Sequence, residues 1–426
     1  MVGWDGATFL TAFVVLLQAL PSRLVIGPLG AGGTPANVVA VAGAVWWLWA
    51  RTADLERTPT RAHPVRTAMV VFVVCVTVSY IAAMTRAIGG DEVSTANTGM
   101  LLITGWLGVV LVADSGIASM DRLEVLMRRT AIGGGLVAIL GLMQFATGRA
   151  YTDLIQIPGL TTNAALTSVL SRDSYVRPSG TALHPIEFGV SMNILLPICL
   201  HVALTATDLS KFRRWFPVVA IAMAIPLSIS RSAIVGGVVV LAVLLPTWAR
   251  RTRIGALIFS GVAMVMVFLI VPGLLGTITK LFTGISNDDS ALSRTNSYPL
   301  AWEFISRSPA FGRGFQTFLP SYRILDNQYL GLLIDTGFVG VLALLGLFLT
   351  AIATAFVARR RFTDVRSRSA AAALAASVAA PAACLAFVDG FSFPLMAGLT
   401  FFSCGLIGTV YAHSVTERSR PSGLSI

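Results

Sequence analysis

Apolar residues recur along this chain in long stretches, separated by short connectors rich in arginine, proline and glycine. A helix needs roughly 20 apolar residues to cross the hydrocarbon core of a bilayer. Such stretches lie at 8–26, 36–50, 67–86, 98–114, 130–147, 187–206, 216–230, 232–248, 254–275, 331–357, 369–388 and 392–412. They predict an all-α, polytopic integral membrane protein with about twelve transmembrane helices. The short span 36–50 and the short pair flanking Arg231 leave a count of eleven open. The chain reads as a single membrane domain, 1–426, in which two long loops, 148–186 and 276–330, interrupt the series of spans. The first stretch has no basic segment before it and no small-residue cleavage site after it, so it reads as a retained helix and not as a signal peptide.

Composition leads the same way. Hydrophobic residues make up 55% of the chain, charged residues 12%, and the mean hydropathy is +0.79. A water-soluble domain of this size would have to expose large apolar patches. Cys75, Cys199, Cys384 and Cys404 all fall within predicted spans, where they serve as small packing residues and not as a disulfide set. A net charge of +11 invites a nucleic-acid reading. The basic residues, however, lie between apolar stretches and not on one soluble face, so no nucleic-acid partner is expected.

Membrane topology accounts for most of them. With the N-terminus inside, the connectors around 51–66, 122–129, 211–214, 250–253, 359–368 and 418–420 hold twenty of the 31 Lys and Arg. Short loops with such an excess stay in the cytoplasm. Both termini are therefore expected inside a bacterial cytoplasmic membrane, with the two long loops on its extracytoplasmic side. Arg23 and Arg86 lie near helix ends, where snorkelling explains them. The other outward cations are Arg149, Arg172 and Arg177, then Arg231, then Lys280, Arg294, Arg307, Arg313 and Arg323. Long external loops tolerate positive charge, but Arg231 has no such loop. It sits in Leu227-Ser228-Ile229-Ser230-Arg231-Ser232-Ala233 with apolar helix on both sides. A guanidinium there is unfavourable unless it meets water or an anion, and its donor fork matches phosphate oxygens.

The long loops carry the remaining chemistry. The first ends Tyr175-Val176-Arg177-Pro178-Ser179-Gly180-Thr181-Ala182-Leu183-His184-Pro185, where two prolines and a glycine favour a turn presenting Arg177 and His184 at the membrane surface. A lone interfacial histidine is more often structural than chemical. In the second loop, Ser293-Arg294 and the apolar positions around Trp302 predict a short interfacial helix, capped by Ser293 or a neighbour, with Arg294 on its first turn. Ser308-Pro309-Ala310-Phe311-Gly312-Arg313-Gly314-Phe315 follows, with glycines that let backbone come close to something. No strand precedes it, which argues against a dinucleotide site. Asp326, at the re-entry into the membrane, fits a helix cap or an acceptor for a hydroxyl proton. The histidines are scattered, and Asp288 and Asp289 have no partner histidine, so no metal or other cofactor is expected.

Taken in order, these motifs resemble the O-antigen ligase and Wzy-type polymerase family over residues 170–345: the His-Pro turn, Ser-x-Ser-Arg at a helix start, an external Arg followed by Trp, Ser-Pro-x-x-Gly-x-Gly-Phe, and Asn-x-Tyr-Leu. The resemblance implies transfer of an oligosaccharide from a polyprenyl-diphosphate-linked donor to a glycan or lipid acceptor on the extracytoplasmic face, without a metal. Arg231 and Arg294 match the positions that bind the donor diphosphate, with Arg177 as a third, and His184, Asn327, Tyr329, Arg313 and Trp302 fall in the substrate region. In the ligases a His-Asn pair opens the re-entering helix; here the pair is Asp326-Asn327, which leaves the base to Asp326 or the reaction to leaving-group stabilisation. Fixed cations facing a departing diphosphate are chemically sufficient for the latter.

A transporter or lipid-linked glycan flippase is the alternative. Such proteins place ionisable residues in midmembrane positions, whereas the spans here hold chiefly Asp335 and Asp389 near outer ends, with Gln18 and Gln144. A non-catalytic envelope scaffold would tolerate loss of the loop arginines.

Overall fold

Each predicted apolar stretch overlaps a helix, although the first helix ends at Ala19, short of the predicted 26, and 271–275 lie outside the described residues. The computed structural model describes residues 5–53, 62–163, 170–172, 175–270 and 297–418. In chain order the helices are α1 (Gly6–Ala19), α2 (Pro35–Ala53), α3 (Pro64–Met84), α4 (Gly90–Gly116), α5 (Met120–Thr147), α6 (Pro185–Thr205), α7 (Lys211–Leu227), α8 (Arg231–Leu244), α9 (Arg250–Ile270), α10 (Tyr298–Arg307), α11 (Gln328–Arg361), α12 (Val365–Cys384) and α13 (Pro394–Arg418). Six of these, α3, α4, α5, α6, α11 and α13, are long and apolar enough to cross a membrane, and α1 and α8 are shorter apolar helices. The fold is polytopic and overwhelmingly helical. Two small antiparallel pairs, Leu24–Val25 with Thr161–Thr162 and Leu170–Arg172 with Tyr175–Arg177, are the departure from the all-α expectation.

Helices α4, α6, α12 and α13 form the centre. Buried Ala370 through Ala376 make α12 a smooth surface that α6, α8, α11 and α13 approach closely. Lipid supplies no hydrophobic drive between apolar helices, so close approach over small residues is what holds such a centre together.

The two ends of the bundle differ. At one, Asp5 pairs with Arg122, Arg128 with Asp208, Arg366 with Asp121, and Thr363 donates to Glu417. Both ends of the described chain and the basic connectors therefore share it. Arg122 holds the Asp5 carboxyl down at about 2. The opposite end gathers the described parts of the two long loops.

Helix α11 is broken at Gly337, which has φ +64° and ψ −168°. A break within lipid exposes backbone groups that nothing in hydrocarbon can satisfy. The glycine-rich motif of the second loop repairs it. Arg313 and Gly314 donate backbone N–H to the carbonyls of Ile334 and Asp335 at 2.9 and 2.8 Å, and Phe338 and Val339 donate to those of Pro309 and Ala310 at 2.8 and 3.2 Å. Ser79 of α3 adds a bond to the Asp335 carbonyl at 2.7 Å. A Cβ on Gly312 would stand 2.3 Å from Asp335 backbone, and one on Gly337 2.3 Å from the Ala310 carbonyl oxygen. What these glycines let the backbone approach is thus the broken helix.

Gly337→Ala should therefore cost more than about 2 kcal/mol, since it adds both the clash and the left-handed strain. Thermal unfolding in detergent should show the midpoint falling by several degrees, and an unchanged midpoint would contradict the account.

Candidate functional site

Helices α6, α8, α11 and α13 all begin at the end that holds the long loops, and each begins on a polar residue or receives one. The His184 Nδ1 accepts the Ile186 N–H at 3.1 Å and caps α6. Asn327 caps α11, its Oδ1 accepting from Leu330 N–H at 3.1 Å. Glu187, fully buried, accepts from Leu183 N–H at 2.6 Å and from Leu395 N–H at 2.7 Å, so one carboxylate binds the starts of α6 and α13 together. At α8 the cap residue, Ser230, makes no side-chain cap hydrogen bond. The first residue of that helix is Arg231.

The turn before α8 is shaped by strain and by Arg177. Ile229 has φ +46°, a conformation that costs a β-branched residue free energy and persists only where its surroundings impose it. The Arg177 Nε donates to the Ser228 carbonyl at 3.1 Å. Arg177 is buried, at 8% exposure, and not displayed at the surface as the proline-glycine turn predicts. The reason is Gln144 of α5, whose side chain accepts from Ser179 and Gly180 N–H at 3.1 and 2.7 Å and donates to the Gly180 carbonyl at 3.1 Å. That grip folds the turn inward over α6.

His184 shares this inner position. Its ring stacks on Phe393 with centroids 6.1 Å apart. Burial, and then the Arg177 charge, push its pKa down to about 4. With Nδ1 acting as an acceptor, the ring is neutral and carries its proton on Nε2.

The start of α11 is tied to the α12–α13 turn. Gln328 donates its N–H to the carbonyls of Leu385 and Val388 at 2.9 and 3.0 Å, and its Oε1 accepts from Phe391 N–H at 2.7 Å. The Tyr329 hydroxyl donates to the Ala382 carbonyl at 2.7 Å, which commits that phenol to holding α11 against α12. Because Asn327 occupies the cap, Asp326 is not the cap; it sits one residue earlier at φ +48°. Its charge acts on Asp389, an exposed residue whose carboxyl lines an open cavity. Desolvation by the surrounding protein pushes the Asp389 pKa up, Ser392, donating at 2.5 Å, opposes this, and Asp326 adds to it. Two carboxylates on different elements thus share one neighbourhood.

The cavity measures about 440 Å³. Asn327, Gln328, Asp389 and Ser392 line one wall, Trp106, Thr95 and Thr98 of α4 another, and Phe315, Gln316 and Arg323 of the second loop a third. Asp335 reaches it from the break in α11, where its carboxylate accepts from Gln316 and Phe318 N–H at 2.8 and 3.1 Å and fixes that loop wall. Aromatic faces beside amides, hydroxyls and carboxylates are a lining suited to a polyhydroxylated ligand.

The remaining predicted residues fall elsewhere. Arg313 pairs with Glu92 of α4 and stands over the Phe304 and Tyr322 rings at 5.0 and 5.3 Å. Arg86 joins the same carboxylate at 3.0 Å, and the Tyr322 hydroxyl donates to it at 2.7 Å. Arg86 therefore does not snorkel from its helix end; nor does Arg23, which pairs with Asp153 and donates to the Thr152 carbonyl at 2.8 Å. Trp302 lies on α10, 63% exposed, while Ala301 and Ile305 on the other face pack against Leu325 and Ile334. That helix starts at Tyr298 with Ser297 at its cap position. Ser293 and Arg294 lie outside the described residues, as do Lys280, Asp288 and Asp289. Among the described residues no group of three or more His, Cys, Asp and Glu side chains gathers as a metal requires.

Sequence reasoning did not find Glu187, Gln328 or the structural task of Gln144. Polar side chains isolated in apolar stretches were the available signal, since burial demands a partner for each.

A polytopic helical membrane protein with a polar, arginine-bearing cleft at one end is the class that fold and site define. Residues 216–345 match the family model described as O-antigen ligase. The match runs from within α7 to the first part of α11 and identifies this stretch as similar to the O-antigen ligase family. Arg231, Arg294, Asp326 and Asn327 fall within it; Arg177, His184 and Asp389 do not. No curated protein matches the chain.

The neutral state of His184 has a pH consequence. A histidine whose folded pKa lies near 4 binds its proton less readily than the unfolded chain, so stability is complete above about pH 6.5 and falls as pH drops toward 4. The thermal midpoint of His184→Gln should lose less on acidification over that window than the wild type. Identical acid slopes would contradict this.

Proposed function

We propose that the chain transfers or polymerises oligosaccharide, carried on a polyprenyl diphosphate, onto a glycan or lipid acceptor at the extracytoplasmic face. The observation that carries this reading is the start of α8. Of four helix starts at that end, three receive a side-chain acceptor, and the fourth opens on Arg231 with no side-chain cap hydrogen bond. The N-terminus of a helix, with the positive end of the helix dipole and an arginine at its first position, favours a phosphate. Arg177, tied to Ser228 in the turn before α8, brings a second guanidinium to the same place, and Arg294 is the third in this reading.

Attack of an acceptor hydroxyl on the anomeric carbon breaks the bond to the diphosphate oxygen and leaves negative charge on the carrier. Preorganised guanidiniums stabilise that charge where it develops. Asp326 takes the hydroxyl proton, and the neutral His184 donates a hydrogen bond from Nε2. Asn327 positions the helix start that presents Asp326, while Tyr329, Arg313 and Trp302 shape the substrate region through α12, Glu92 and the outer membrane interface. The cavity beside Asp326 and Asp389 is the acceptor side of this arrangement. The positive-inside bias supports placing it outside the cell, with both termini in the cytoplasm.

The flippase reading has less support. Of the ionisable residues near the outer ends of the spans, Asp335 is spent on loop N–H groups. Arg231→Ala and Arg294→Ala should each abolish transfer from a polyprenyl-diphosphate oligosaccharide while leaving the amount of membrane-inserted protein intact, and Asp326→Asn should reduce transfer by two to four orders of magnitude, the usual worth of a general base being about 10²–10⁴. Near-normal product from purified Arg231→Ala would sink the diphosphate assignment, and retained activity in Asp326→Asn would remove it as the base.

A further inference from the structure

A second site lies at the opposite end of the bundle, between α2, α3 and α4. A groove of about 800 Å³ opens sideways there, lined by Leu48 of α2, Val70 of α3 and Leu107 of α4, with Arg51, Arg66 and Trp47 at its mouth. Its walls continue into the outward apolar surface of the bundle, with Leu48 60% and Val70 44% exposed. From Arg51 to Ala44 the groove follows α2 for about 10 Å, at a helical rise of about 1.5 Å per residue. It therefore runs from the bundle end toward the middle of the membrane.

The mouth is built for negative charge. Arg51 and Arg66 stand over the Trp47 ring, 5.2 and 5.9 Å from its centroid, and the indole N–H is fixed by Ser115 Oγ at 2.8 Å. One indole thus gathers two guanidiniums within 6 Å of its ring. Among the described residues the acidic group that faces them is Asp114, whose fully buried carboxylate lies 3.8 Å from Arg66 Nη1 and 2.7 Å from His63 Nδ1. It balances at most one of the two guanidiniums. Arg66 Nη1 is buried and makes no hydrogen bond. A donor in that state gains from a charged acceptor placed beside it.

We infer that this groove binds an anionic glycerophospholipid of the surrounding leaflet, the headgroup phosphate between Arg51 and Arg66 and one acyl chain along Leu48, Val70 and Leu107. The charge at the mouth selects the headgroup, and the apolar walls, continuous with the lipid-facing surface, select a molecule that brings its own hydrocarbon. The site lies at the end of the basic connectors, away from the α8 start, and stands independently of the glycan-transfer reading.

Native mass spectrometry of the full chain, delipidated and titrated with phosphatidylglycerol or phosphatidylcholine, tests this. Phosphatidylglycerol adducts should persist where phosphatidylcholine adducts do not. Arg51→Gln, on an exposed side chain, should weaken phosphatidylglycerol binding about fivefold, and Arg51→Gln with Arg66→Gln about 25-fold. Val70→Trp, which fills the groove and leaves the charges in place, should remove the adduct at an unchanged thermal midpoint. Equal retention of the two lipids, undiminished binding by Arg51→Gln, or a dimer whose formation Val70→Trp abolishes would overturn the assignment.

Discussion

In hydrocarbon a backbone group without a partner is too costly to persist, and this structure breaks a helix there all the same. The interruption of α11 at Gly337 survives because the 309–314 segment supplies the missing donors and acceptors strand-fashion, with Ser79 from α3 completing the set. Much of the loop end depends on this exchange. It anchors the second loop to the bundle, and it frees the Asp335 carboxylate to order Gln316 and Phe318. The Arg313, Arg86 and Glu92 cluster then clamps the far side of the same segment onto α4. A segment that would otherwise be a loop becomes a wall of the cavity.

The same economy organises the opposite wall. Glu187 holds the starts of α6 and α13, and Gln328 binds the α12–α13 turn, so the sites around His184 and Asp326 are fixed by backbone hydrogen bonds instead of by long side chains reaching through water. Left-handed backbone at Ile229 and Asp326 is the conformational cost of placing Arg231 and Asn327 at the heads of their helices. Strain imposed by rigid surroundings is a familiar way of presenting functional groups without letting them relax.

Much of this was legible in the sequence because it is local. Apolar runs register directly as helices, and each predicted span overlaps one among the described residues. The short helix around Trp302 and the close backbone approach at Gly312 are also local properties. What was not legible is the choice of partner. Arg313 meets Glu92 across 221 positions, and Glu187 meets Leu395 across 208, separations that no motif spacing encodes. Arg86 looks like a snorkelling residue until its carboxylate is located, and Asp326 looks like a cap until Asn327 is seen to take that position. Arg177 points inward because Gln144, a single polar residue in an apolar stretch, grips its turn. The ordered motifs from 170 to 345 indicated the family region that the 216–345 match identifies, yet Asp389, beside Asp326, lies beyond both.

The central claim is that the polar end of this bundle is a site of glycan transfer. It is tested most directly by reconstituting the purified wild-type chain in vesicles with a polyprenyl-diphosphate oligosaccharide and a glycan acceptor and measuring the carrier diphosphate released. Transfer predicts one free polyprenyl diphosphate for each new glycosidic bond. Movement of the intact lipid-linked oligosaccharide between leaflets with no carrier released would contradict it.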